Sequence, residues 1–318
     1  MIISKISREL GLTRHFVNRV IETASHRYKT YTIPKKTGGV RTIHHPAREL
    51  KLLQTWLGDN IFSHLDVSQS VFSYKSGVGI LDHVKIHRKN NFLMRVDFKD
   101  FFPSIKSYDV ELLVNKNLEK IPFKLSKADL SIISKVVCRY DREKKYSCLT
   151  IGAPSSPTIS NAILSEFDAY WTVKCSEMSV SYTRYADDLF FSTNIPDVLQ
   201  KVYEDIQIYL QAMKSPDITI NREKTSFTSR KRKRVITGLV ITSESRISIG
   251  RSKKRVIKTM CFRYTKSLLD ENEISYLRGY LAYLNSVEPS FIKSLESKFG
   301  ENIINEIRSL VPTSCKYK

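Results

Sequence analysis

The sequence predicts an α+β fold, and three observations carry that expectation. Strand-patterned segments occur near residues 28–43, 92–97 and 180–191; amphipathic helical stretches lie between them; and from about residue 251 onward the apolar spacing is helical only. At 318 residues the chain exceeds one average domain and can bury a sizeable core as one large domain with subdomains. Its 52 Lys plus Arg against 32 Asp plus Glu give a net charge of +20, which points to a polyanionic partner, nucleic acid first. An anionic membrane surface would attract the same charge, but the sequence has neither an 18-residue apolar stretch nor a clean basic amphipathic helix. The first ten residues lack a signal-peptide core, and a cytoplasmic location is expected. Cysteines at 138, 148, 175, 261 and 315 are odd in number, widely spaced and without a C-x-x-C pair, which argues against a disulfide framework or a zinc ribbon.

Taken in order, residues 12–24 place Leu12, Phe16, Val20 and Ile21 on one stripe, with Thr13 as N-cap, and predict a short helix. Alternation over 28–33, a Pro/Gly turn over 34–39 and Val40-Arg41-Thr42-Ile43 predict a hairpin. Lys35, Lys36 and Arg41 would project from its tip, suited to gripping a phosphate; a solvated lysine turn is the plainer reading. Residues 48–57 read as a helix through Leu50, Leu53, Trp56 and Leu57. His83 and His87 fall at i and i+4, a metal-pair spacing, yet no glutamate follows the first and no third ligand is evident.

Residues 92–97 form an apolar run of strand length that ends in Asp97. Helical pattern follows over 108–120 and 126–140, and then Thr-Ile-Gly-Ala-Pro-Ser-Ser-Pro at 150–157 opens another helix. Around 180–191, a strand enters a tight turn at Asp187-Asp188. Adjacent carboxylates flanked by apolar residues repel and lose hydration, so a divalent cation would explain them; a solvated turn pair would too. If the 92–97 strand neighbours this turn, Asp97 completes a cluster of three carboxylates able to bind two Mg²⁺ for in-line phosphoryl transfer. Residues 198–213 read as a helix and 218–227 as an extended segment containing Lys224. Arg230-Lys231-Arg232-Lys233-Arg234 is the densest charge run, followed by a strand-like stretch at 235–241.

Three blocks thus stand in order: a strand ending Asp97-x-x-Asp-Phe-Phe-Pro-Ser, a Gly-Ala-Pro-Ser-Ser-Pro loop opening a helix, and Tyr-Ala-Asp-Asp. Together they closely resemble the reverse transcriptase family over nearly the whole chain. The resemblance implies a right-hand polymerase, with fingers and an antiparallel palm over residues 1–250 and a helical thumb that binds RNA or duplex over 251–318. The retron type is implied by the compact length and by Ile236-Thr237-Gly238, which is similar to a Val-Thr-Gly element. Residues 79–87 also stand where retron enzymes carry Asn-Ala-x-x-His, although only His87 of that element is kept.

The resemblance implies roles by position. Asp97, Asp187 and Asp188, with Phe98 in the metal set, would hold two Mg²⁺, with Mn²⁺ as the alternative ion. Lys224 would protonate the pyrophosphate leaving group. Phe102, beside Phe101, would block a nucleotide 2′-OH; Arg41 with Lys35 or Lys36 would contact the triphosphate; Gly152 would wall the nucleotide. His87, Arg230, Lys231, Arg232, Lys233, Arg234, Thr237, Gly238 and Arg278 would contact RNA. Ile151 departs from the glutamine the family carries there. The implied activity is an RNA-directed DNA polymerase that uses deoxynucleoside triphosphates to copy a cognate structured non-coding RNA into branched RNA-linked DNA (msDNA), primed from an RNA 2′-OH, within an anti-phage system with a separate effector protein. Other small bacterial reverse transcriptases, of abortive-infection, diversity-generating or group II intron-like type, and a catalytically silent RNA-binding scaffold are the alternatives.

Overall fold

A computed structural model describes residues 2–35 and 38–309, so Lys36 and Cys315 lie outside the described residues. The chain groups into two compact units. The first is drawn from residues up to 78 and from 94–227; the second from 79–93 and from 228 onward.

In the first unit, helices Ile2–Leu10 and Arg14–Glu22 bury Ile2, Ile6, Val17, Val20 and Ile21; of the stripe the spacing predicts, Val20 and Ile21 are buried, whereas Phe16 is half-buried and Leu12 is half-buried ahead of the helix, Val17 taking the inward place. The Thr13 hydroxyl accepts the Phe16 N–H at 3.2 Å, fixing where the second helix begins. Strands β1 (Tyr28–Pro34) and β2 (Val40–Pro46) pair antiparallel. Gly38 and Gly39 have φ of +88° and +78°, the left-handed backbone that this loop requires. Helix Arg48–Asn60 packs beneath the hairpin, and Gln54 donates to the Tyr28 hydroxyl and the Val136 carbonyl at 2.9 Å each.

The main sheet contains β3 (Phe92–Lys99), while a small ribbon pairs β4 (Arg139–Asp141) with β5 (Tyr146–Cys148). β6 (Ser181–Tyr185) and β7 (Asp188–Thr193) form an antiparallel hairpin, and β8 (Thr219–Ser229) closes a four-stranded sheet of order β6-β7-β3-β8. Met94, Val96 and Phe98 of β3 and Leu189, Phe190 and Phe191 of β7 are buried. Near-continuous apolar runs are what central strands covered on both faces require. The carboxylate-bearing ends of β3 and β7 therefore stand on a rigid, well-packed platform.

In the second unit, β9 (Arg234–Ile236), β10 (Leu239–Ile241) and β11 (Ile247–Ser248) form a small antiparallel sheet. The single strand expected over 235–241 is instead a hairpin. Leu239 pairs with Ile236, and Thr237 and Gly238 take φ of +45° and +87° in a two-residue turn. Apolar residues flank the turn on both sides, so the hydrophobic pattern reads the same whether or not the chain reverses. From 251 the described chain is helical, as the spacing predicts: Arg251–Tyr264, Glu271–Val287, Pro289–Phe299 and Glu301–Ser309. Leu277, Leu281, Leu284, Phe291 and Leu295 fill their core. Among the described residues, the four cysteines at 138, 148, 175 and 261 are free and buried, and no helix is long and apolar enough to cross a membrane.

Candidate active site

The Asp187 turn is fixed from the front and from behind. Tyr185 pairs with Asp188, leaving Ala186 and Asp187 as the turn, with Ala186 at φ +57°. The Phe98 N–H donates to the Asp187 carbonyl at 2.9 Å, which joins the end of β3 to the turn. The Ala186 N–H donates to Ser73 Oγ at 2.7 Å. Behind the turn, Arg184 is fully buried and donates to Asp168 through Nε at 2.9 Å and 3.1 Å and through Nη2 at 2.7 Å. Its Nη1 reaches the Asn161 Oδ1 and the Ala186 carbonyl, each at 3.1 Å. The Tyr182 hydroxyl donates to Asp168 at 2.7 Å. Burial alone would lower the guanidinium pKa, but the Asp168 carboxylate more than reverses this, so the net shift is upward and the guanidinium is held charged.

Asp97 is 3% exposed, and both its oxygens accept from Lys224 Nζ, at 3.0 Å and 2.9 Å. Asp188 receives a bidentate guanidinium from Arg95, Nε at 2.9 Å and Nη2 at 2.8 Å. Burial raises the Asp187 carboxyl above its ordinary range; the Asp97 charge adds to the rise, while Lys224 and Arg41 oppose it. Asp188 is pushed up to about 6, by burial first, with Arg95 opposing and Asp187 and Asp97 adding. Three aspartates thus share one negative field that two cationic side chains partly neutralise.

Among the described residues, no three His, Cys, Asp or Glu side chains stand in a ready-made metal-holding arrangement. The aspartates point their lone pairs at Lys224 and Arg95 instead. The chemistry nevertheless fits a divalent ion: the donors are hard carboxylate oxygens, mutually repelling and desolvated, at a place that draws positive charge. The Phe98 ring is buried, so this residue faces the turn through its main chain.

Around the carboxylates, Phe101 is buried and its ring stacks on Phe98 with centroids 5.7 Å apart, whereas Phe102 is half-buried. Phe102 is therefore the more exposed ring of the two. Arg41 is exposed and lies within electrostatic reach of Asp187. Lys35 is exposed on the same hairpin. Gly152 has φ +110°, and a Cβ there would lie 2.9 Å from both the His44 carbonyl oxygen and the Ile43 Cγ2. Close approach to β2 is thus what the structure demands of this glycine. The Ile151 carbonyl accepts the His44 N–H at 2.8 Å, fastening the loop to the β1–β2 hairpin through main chain rather than side chain.

The reverse transcriptase (RNA-dependent DNA polymerase) family profile matches residues 33–277. The chain belongs to the reverse transcriptase family. This reverse transcriptase is 35% identical to the Retron Ec83 reverse transcriptase of Escherichia coli over 284 residues, covering 88% of this chain and 89% of that one. It is 32% identical to the Retron Ec73 reverse transcriptase of Escherichia coli, covering 95% and 96%. It is accordingly an RNA-directed DNA polymerase of retron type. Among solved structures, the apo telomerase from Candida Tropicalis matches with a TM-score of 0.50 at 14% identity, over 88% of this chain and 56% of that one, a likeness of fold that agrees with the right-hand polymerase architecture.

The expected RNA-contacting residues of this reverse transcriptase all lie in the second unit, and their surroundings differ. Arg230, Lys231, Arg232 and Lys233 are exposed, as is Gly238; Thr237 and Arg278 are half-buried. Two members of the set are placed otherwise than expected. Arg234 is 1% exposed, and its guanidinium donates to the carbonyls of Asn90 and of Thr242, the latter at 3.0 Å. His87 is 1% exposed and its ring meets His83 edge-on, centroids 5.6 Å apart. Both side chains are internal: β9 begins at Arg234, and His87 lies on the inner face of helix Ile80–His87.

Motif and spacing give no role to Asp168, Arg184, Asn161, Ser73, Arg95 or Tyr74. Asp168 and Arg184 do carry a signal, since each is a charge among residues of core type, beside Phe167 and between Tyr182 and Ala186. Ser73 and Asn161 carry none; only tertiary contact gives them a role.

Proposed function

We propose that this enzyme copies a cognate structured non-coding RNA into branched, RNA-linked DNA (msDNA), primed from an RNA 2′-OH, in the cytoplasm and as part of an anti-phage retron system with a separate effector protein. The observation that carries the catalytic reading is the convergence of Asp97, Asp187 and Asp188 at one hydrogen-bonded turn. The retron relatives, similar along almost the full chain, support the choice of RNA and product.

In this reading residues 1–250 act as fingers and palm and residues 251–318 as the thumb. Asp97, Asp187 and Asp188, with the Phe98 main chain, would hold two Mg²⁺ or Mn²⁺ in place of the Lys224 and Arg95 contacts. Ions bound there would neutralise charge on the attacking and leaving oxygens of an in-line displacement. Arg41 with Lys35 grips the triphosphate of a deoxynucleotide and aligns its α-phosphorus with the primer hydroxyl. The hydroxyl oxygen bonds to that phosphorus as its proton passes to solvent water, and the bond from the α-phosphorus to the α–β bridging oxygen breaks, releasing pyrophosphate. Lys224, released from Asp97, gives a proton to the pyrophosphate. Phe102 occupies the space a ribose 2′-OH would need, and Gly152 lets the loop pass close to the hairpin beside the nucleotide. Arg230, Lys231, Arg232, Lys233, Thr237, Gly238 and Arg278 engage the RNA by phosphate pairing and shape.

The test supplies purified protein with Mg²⁺, deoxynucleotides and the RNA encoded beside its gene. RNA-linked DNA is expected from the unaltered protein and none from Asp187→Asn. Synthesis that persists in the variant, with the protein folded in both cases, overturns the assignment.

A further inference from the structure

Tyr74 plays no part in the roles assigned above, yet its placement is unusual. It is 55% exposed, and at φ +53° it holds a left-handed backbone that bulky L-residues seldom adopt. Strain of this kind persists where the surroundings over-determine the chain. Here they do, because the segment that carries Tyr74 is tied to the catalytic hairpin residue by residue. The Arg184 N–H donates to the Ser70 carbonyl, and the Phe72 N–H to the Arg184 carbonyl, at 2.9 Å each. Ser73 Oγ accepts the Ala186 N–H at 2.7 Å, and the Ser73 carbonyl accepts from Asn161 Nδ2 at 2.9 Å.

Tyr74 thus begins one residue after an atom bonded to the centre of Tyr-Ala-Asp-Asp. Its phenol titrates above the ordinary value, through burial first and then the charges of Asp187 and Tyr185, with Arg41 opposing. The ring therefore stands within electrostatic reach of both the carboxylate turn and the fingers arginine. A strained, tightly anchored aromatic that leaves more than half its surface uncovered at a polymerase centre has one obvious complement, the flat face of a nucleobase.

We propose that Tyr74 is a nucleobase-stacking residue that positions a base at the active site, a role that rests on the polymerase reading above. The base belongs either to the incoming nucleotide or to the unpaired template, and the two sources separate by experiment. Tyr74→Phe keeps the ring. Tyr74→Gly removes it while relieving the backbone, since glycine adopts positive φ freely, and that relief offsets the freedom glycine adds to the unfolded chain.

Single-nucleotide incorporation on a primed RNA gives kcat and KM, fluorescence anisotropy gives Kd for the primed RNA with and without a template overhang, and thermal melting reports the fold. Tyr74→Phe should match the parent. Tyr74→Gly should raise KM or the overhang-dependent Kd by about fivefold to a hundredfold, with kcat little changed and Tm unchanged or higher. A rise confined to the nucleotide KM assigns the incoming base; a rise in Kd that appears with the overhang assigns the template base. Unchanged KM and Kd in Tyr74→Gly overturn the proposal, as does a joint fall of kcat and Tm at constant KM and Kd, which would mark a structural strut. Failure of the unaltered protein to incorporate nucleotide would strike the polymerase reading instead, and the Kd arm, which needs no turnover, would still test the stacking contact.

Discussion

Arg184 and Asp168 are each fully buried, and neither charge could remain there without the other. Bringing two ions out of water costs several kcal/mol apiece, returned here by three close hydrogen bonds between them and by Asn161, Tyr182 and the Ala186 carbonyl. The useful result is geometric: a rigid fork bonded to the carbonyl of the residue that precedes Asp187. Asp168→Asn keeps the shape but leaves an uncompensated guanidinium, and should cost about 3–5 kcal/mol of unfolding free energy in a urea titration. A loss below about 1 kcal/mol would show that the network does not brace the turn. Lys224 and Arg95 illustrate a different economy at the same site. They sit on the oxygens of Asp97 and Asp188 and hold in place a cluster whose mutual repulsion would otherwise scatter it.

Helix Ile80–His87 shows how an element can be read correctly as a pattern and differently as a site. The i, i+4 spacing of His83 and His87 is that of a metal pair, though without a third ligand, and the family resemblance suggests RNA contact for His87; the structure turns both rings inward, at 0% and 1% exposure. Burial lowers the His83 pKa from 6.5 to about 4, and burial with the neighbouring His83 lowers His87 well below its usual value. Both groups have a depressed folded pKa, so the unfolded chain binds more protons below 6.5. The stabilisation from neutral imidazoles is complete above that pH and is lost as pH falls toward 4. His83 alone should account for about 3 kcal/mol across the window. Asp188, raised to about 6, acts with the opposite sign, so the comparison must be made between parent and His83→Asn rather than on the parent alone. The variant's unfolding free energy, measured in urea from pH 6.5 to 4.5, should fall less steeply than the parent's, and equal slopes would refute the assignment. Sequence order alone reaches the Asp97, Gly152 and Asp187 blocks because each needs particular residue types at a strand end or turn. It does not reach the side to which a helix turns its histidines, since either face would satisfy the same spacing.

At the scale of the molecule, the antiparallel palm hairpin and the helical C-terminal region were legible, because β and helical periodicities are written in local residue patterns. The hairpin at 237–238 and the clasp of Ser73 on Ala186 were not, because a turn inside an apolar run and a hydrogen bond across 113 residues leave no periodic trace. The basic run makes the same point about charge. A net +20 predicts a polyanion, but only packing tells which cations can meet it. Arg230 to Lys233 are exposed, while Arg234 is buried, its burial lowering the guanidinium pKa and Arg230 adding to that effect. Replacing Arg230, Lys231, Arg232 and Lys233 by Gln should weaken RNA binding and flatten its dependence on salt, with the slope of log K against log salt shrinking by about 0.7–0.9 for each phosphate no longer neutralised, while Tm stays near the parent's. Arg234→Gln should do the reverse. It removes the guanidinium's hydrogen bonds to the Asn90 and Thr242 carbonyls, each worth about 1.5–3 kcal/mol as a bond from a charged donor, so Tm drops while the salt slope of the folded protein is preserved. Filter-binding titrations from low to moderate salt, run beside thermal melts, separate the two. If Arg234→Gln flattens the slope as much as an exposed-lysine variant does, then Arg234 reaches RNA in the working enzyme and its burial belongs to the RNA-free form alone.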